Sequence, residues 1–114
     1  MSLIRHLLSY VEGQPAGSII EQVTVPEGTS GSAVGEHIAL LVEHGLIEGE
    51  VVDVNAPLFV IQRLTWEGHD FLQAIQNDKV WNKILAKAKT LGGSMTLEIA
   101  KELGTKYLKE LAGV

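Results

Sequence analysis

With 114 residues, 46% of them hydrophobic, the chain can bury one real core and is too short for two full domains. It has no cysteine, which excludes disulfides, thiolate metal sites and a cysteine nucleophile and fits a reducing, cytoplasmic setting. The net charge of −5 is lopsided: residues 1–62 hold one basic side chain, Arg5, against eight acidic ones, and residues 63–114 hold eight basic against six acidic, so a polyanion would have to avoid the first half.

Leu3, Ile4, Leu7, Leu8 and Val11 follow the helical period, with Ser2 placed to cap this first helix and Gly13 to stop it. Arg5, His6, Ser9 and Tyr10 interrupt any secretory apolar run and no small-residue cleavage site follows, so the helix is expected in the mature fold. No apolar run approaches the roughly 18 residues of a membrane span, and a soluble protein with no membrane partner is the expectation. Residues 13–31 are rich in glycine and contain Pro15 and Pro26 around one β-prone run, Ile19 to Val25, which reads as a short strand pairing with the sheet to come. Pro26 and Gly28 leave almost no room there for the extra helix of a standard helix-turn-helix.

From Ser32 to Ile75 the pattern is helix, hairpin, helix. Val34, Ile38, Leu41 and Val42 form one helical stripe ended by Gly45. Two β-rich runs near Glu48 to Val54 and Leu58 to Leu64 flank Asn55, Ala56 and Pro57, a tight connection. Thr65 is placed to cap a helix whose inner face is Gly68, Phe71, Leu72 and Ile75. After Asn77 and Asp78 a fourth helix runs from about Lys79 to Leu91, with Val80, Trp81, Ile84, Leu85 and Ala88 inward and Lys79, Lys83 and Lys87 opposite. Gly92 and Gly93 break it, and Ser94 or Thr96 caps a last helix reaching Leu111. Its apolar set of Leu97, Ile99, Ala100, Leu103, Tyr107, Leu108 and Leu111 covers about half the circumference, wider than one packing partner needs. That width predicts a homodimer through the last two helices, with Tyr107, Leu108 and Leu111 at the contact. The predicted architecture is an α+β winged helix with a C-terminal helical hairpin: one domain over 1–114, its core in 1–76 and the hairpin in 77–114.

The motif LTWEGHDFL, followed by NDKVWNK, GGS and an amphipathic helix, and preceded by HIALLVEHGLIEG, resembles a family of small winged-helix proteins of unknown function found in bacteria and in phage and prophage regions. The matching residues run from His37, Leu41, Gly45, Leu46 and Ile47 through Leu64 to His69, Phe71 and Leu72 to Asn77, Asp78 and Val80 to Lys83. The resemblance implies a regulator-like protein through fold alone, with no established reaction or cofactor. The family's longer, more basic opening is missing here.

The residues argue against the usual DNA contact. The outward face of the second helix is Ser32, Glu36, Ala39 and Glu43, with Leu40 to one side and no lysine or arginine; the wing carries Glu48, Glu50 and Asp53, and only Arg63 at its base is basic. Nucleic-acid contact therefore falls to Arg63 and the row Lys79, Lys83 and Lys87, although such a row also serves simply as a solvated face. His37 and His44 are about 10 Å apart along their helix, too far to share a metal without other ligands, and serve packing or capping. The GTSGSAVG run lacks the ending of a phosphate-binding loop. Trp66 lies off the inner face of its helix and either covers the wing or the fourth helix, or anchors a partner. No catalytic, cofactor or metal site is identified, so the expectation is a non-catalytic protein. Two functions stay open: a DNA-binding regulator, or a protein-interaction module that does not bind DNA.

Overall fold

The computed structural model describes residues 2–91 and 96–113. Among these it is a mixed α+β chain with five helices and a two-stranded antiparallel sheet. In order these are α1 (Ser2–Glu12), α2 (Gly31–Glu43), β1 (Ile47–Asp53), β2 (Leu58–Leu64), α3 (Trp66–Gln76), α4 (Asp78–Thr90) and α5 (Leu97–Ala112). Contacts gather into two units, Met1–His69 and Asp70–Val114, which divide within α3.

In the first unit most of the stripes expected of α1 and α2 is buried, Ile4, Leu7, Leu8 and Val11 on one and Val34, Ile38 and Leu41 on the other, while Leu3 and Val42 are half-buried. Ser2 is itself helical rather than a cap. Ser30 caps α2, its Oγ accepting from the Ala33 amide at 3.1 Å. The far end of α2 closes as a Schellman turn. Gly45, at φ +70°, donates to Val42 O at 3.1 Å, Leu46 donates to Leu41 O at 2.9 Å, and the side chains of Leu41 and Leu46 are both fully buried.

The turn sends β1 back along α2, and Val54, just beyond β1, touches α2 backbone to backbone. A Cβ on Gly35 would lie 2.1 Å from Val54 O, so only glycine fits. The β1–β2 register pairs Ile47 with Leu64, Glu48 with Arg63 and Gly49 with Ile61, with irregularities that leave Gln62 and Val52 unpaired. Thr65 then starts α3 as expected: its Oγ1 donates to Gly45 O and accepts from the Gly68 amide at 3.0 Å. This ties the start of α3 to the end of α2, and Gly68 sits so close that a Cβ there would lie 2.0 Å from Leu46 O.

The strand expected over Ile19–Val25 is a single bridge. Ile20 and Ile61 exchange two hydrogen bonds of 2.8 Å, and pairing stops there. The chain is drawn elsewhere: the His6 ring on α1 donates to Thr24 O, and Pro26 O accepts from the Thr29 hydroxyl at 2.7 Å in a turn. No helix occupies residues 13–30.

In the second unit, Asn77 caps α4 by accepting from the amides of Lys79 and Val80 at 3.0 and 3.2 Å. Val80, Trp81 and Ile84 are buried, and Leu85 and Ala88 are half-buried. Thr96 caps α5 by accepting from Ile99 N at 3.2 Å; the alternative cap, Ser94, and the break at Gly92 and Gly93 lie outside the described residues. Leu97, Ala100 and Gly104 form the buried side of α5, and Gly104 lies against Phe71 and Ala74 of α3.

Candidate functional site

Three surfaces carry the residues singled out from sequence. The first is the outer face of α2. Because its core side is Val34, Ile38 and Leu41, Glu36 and Glu43 point most directly away, seven residues apart on one face, with Leu40 between them along the axis and to one side around it. Both carboxylates are exposed, and Leu40 between them is 40% exposed. Leu40 thus lies at one side of this face, as expected, and is open to solvent there. The signal was in the sequence: Leu40 stands about 100° or more around the helix from each member of the buried stripe. His37, beside them, donates from Nδ1 to Ala33 O at 2.7 Å, and His44 is the C-cap, so both have local structural roles. Among the described residues no group of three or more potential ligands is placed to hold a metal ion.

The second surface is the base of the hairpin. Cross-strand pairing sets Arg63 beside Glu48, and Arg63 Nε donates to Glu48 Oε2 at 2.7 Å, with the two side chains 74% and 47% exposed. The only basic side chain of the hairpin is thereby paired with an acid. Trp66, at the first turn of α3, is 87% exposed, which removes the packing role and leaves an aromatic ring in solvent. Arg63, Trp66 and His69 border one shallow depression with Glu48. The structure therefore brings Arg63 and Trp66 together. Beside it, a cleft of about 520 Å³ runs between the end of α1, the Gly17–Ile20 segment and the end of β2.

The third surface is α4. Lys79, Lys83 and Lys87 are all exposed, but Lys83 is engaged with α5: its Nζ lies 5.4 Å from the Tyr107 ring centroid and 3.8 Å from Glu110 Oε2. Tyr107 and Leu108 are half-buried, and Leu111 is 44% exposed. The apolar side of α5 thus continues into solvent at its C-terminal end.

The geometry offers acidic and apolar contact surfaces. No helix among the described residues is long and apolar enough to cross a membrane. Comparison with known proteins returns relatives described only as hypothetical or uncharacterised. The chain is similar to an uncharacterised protein of Haemophilus influenzae (strain ATCC 51907 / DSM 11121 / KW20 / Rd), 30% identical over 115 residues that cover 96% of this chain and 93% of that protein. No solved structure matches the chain. A family model described as hypothetical protein DUF2513 matches residues 1–94, all of α1 to α4. The chain belongs to this DUF2513 family of hypothetical proteins.

Proposed function

We propose that the first unit is a winged helix, with α2 in the place of the recognition helix and β1–β2 as the wing, and that it is a non-catalytic module docking a protein through α2 rather than reading DNA. The order helix, irregular segment, helix, hairpin, helix supports the winged-helix reading. One observation carries the choice of partner. On the helix that would enter a DNA groove, the outward face carries Glu36 and Glu43 with the exposed Leu40 beside them, and no lysine or arginine.

Duplex DNA is a dense row of phosphates, and its binding depends on lysine and arginine neutralising them. Two carboxylates facing that row are repelled, and the wing offers only Arg63, already bound to Glu48. A protein surface with a small apolar hollow and basic edges suits the same face: Leu40 loses water on docking, while the glutamates at its sides set orientation and encounter rate. A regulator-like, DNA-binding role would have to work through Lys79, Lys83 and Lys87 on α4.

A salt-series titration of labelled mixed-sequence duplex DNA separates the two. The protein-docking reading expects no saturable binding even at low salt. Salt-dependent binding that Lys79→Glu with Lys87→Glu abolishes would establish the α4 route instead, and a change of sequence preference in Glu36→Gln would place α2 in the groove.

A further inference from the structure

We infer that the partner of the α2 face is helix α4 of a second copy of this chain. The inference rests on α2 being a protein-docking face, and the charge distribution supplies the occupant. Residues 1–69 contain no lysine, and their nine carboxylates face two arginines; residues 70–114 contain seven lysines against five carboxylates. Each copy therefore carries both members of a complementary pair.

The two helix faces match in spacing. Glu36 and Glu43 are seven residues apart, about 10.5 Å along the axis of α2, and Lys79 and Lys87 are eight apart, about 12 Å along α4. Leu40 lies between the glutamates along the axis and to one side of them. On α4 the residue midway between Lys79 and Lys87 is Lys83, and the depression lined by Asn82, Leu85, Ala86, Ala88 and Lys89 lies to one side of the lysine row. Lys83, held over Tyr107, is not needed for the pairing.

Such a contact is heterologous: α2 of one copy meets α4 of the next, and the assembly either closes into a small ring or continues. Its strength depends on salt because its charges lie at a solvent-exposed rim. It differs from a symmetric dimer built on the last two helices, which would bury Leu108 and Leu111 and respond little to salt.

Sedimentation velocity on the full chain, over a range of protein and sodium chloride concentrations, tests this with two charge-reversed variants. The first is Glu36→Lys with Glu43→Lys, and the second is Lys79→Glu with Lys87→Glu. Wild type is expected to self-associate at low salt and dissociate as salt rises. Each variant alone should associate roughly tenfold more weakly, the size expected from reversing two exposed ion pairs. An equimolar mixture of the two should recover association, because each mutated face then meets its complement. A chain that stays monomeric at every salt concentration overturns the inference, as does association that the variants leave intact and Leu111→Glu abolishes. Neither result touches the α2 reading itself, which the DNA titration decides separately.

Discussion

Gly35 and Gly68 hold the first unit together by what they lack. At each, an added methyl would enter a backbone carbonyl, Val54 O at 2.1 Å or Leu46 O at 2.0 Å, and backbone yields less readily than the end of a side chain. Gly35→Ala and Gly68→Ala are each expected to cost about 1–3 kcal/mol or more, read as a lowered midpoint in thermal or urea unfolding. Gly104 is the control of opposite sign. A Cβ there meets Ala74 Cβ at 3.5 Å and Phe71 at 3.7 Å, ordinary contact distances, and glycine weakens a helix interior. Gly104→Ala should therefore be neutral or stabilise by up to about 1 kcal/mol in the same measurement. The two tryptophans divide in a similar way. Trp81 is 6% exposed, and Trp81→Ala is expected to cost about 3–5 kcal/mol. Trp66→Ala should stay within about 0.5 kcal/mol of wild type, since its ring is already in water. Equal losses from the two substitutions would contradict the exposure of Trp66.

Among the elements, periodicity located every helix, and two turn chemistries located their ends: the Gly45 stop of α2 and the Thr65 start of α3. The strands were legible because β-branched runs flank Asn55 to Pro57, and they differ from expectation by one residue at β1. What periodicity does not encode is which long-range partner a segment finds. Ile19 to Val25 has the composition of a strand, but only Ile20 reaches Ile61, because His6 takes the Thr24 carbonyl and the Pro26 turn redirects the chain. The direction of Trp66 was open for the same reason: its position off the inner face of α3 fits covering a neighbour or facing solvent, and only the fold decides. The Glu48–Arg63 pair depended on register, which the irregularity around Gln62 resets. It is an exposed ion pair on a sheet edge, and Arg63→Ala is expected to change stability by less than about 1 kcal/mol. Urea unfolding checks this, and a larger loss would show the pair fastening the hairpin rather than neutralising its surface.

For the whole molecule the decisive property is where charge sits. The residues that build the helix–hairpin framework include no lysine, and those that build the α4–α5 pair include seven. This partition was legible from the sequence alone. Its meaning became specific once the fold left Leu40 exposed beside Glu36 and Glu43 and paired Arg63 with Glu48. In the proposed reading α2 is kept from nucleic acid by its charge, while the helix–hairpin–helix shape would itself suit a groove. The most direct measurement is a paired titration of one labelled duplex DNA at low salt with wild type and with the Glu36→Lys, Glu43→Lys variant. Wild type is expected to show no saturable binding and the variant to acquire salt-dependent binding, because its α2 face then neutralises phosphates. Saturable binding by wild type that the two lysines do not strengthen would contradict that reading.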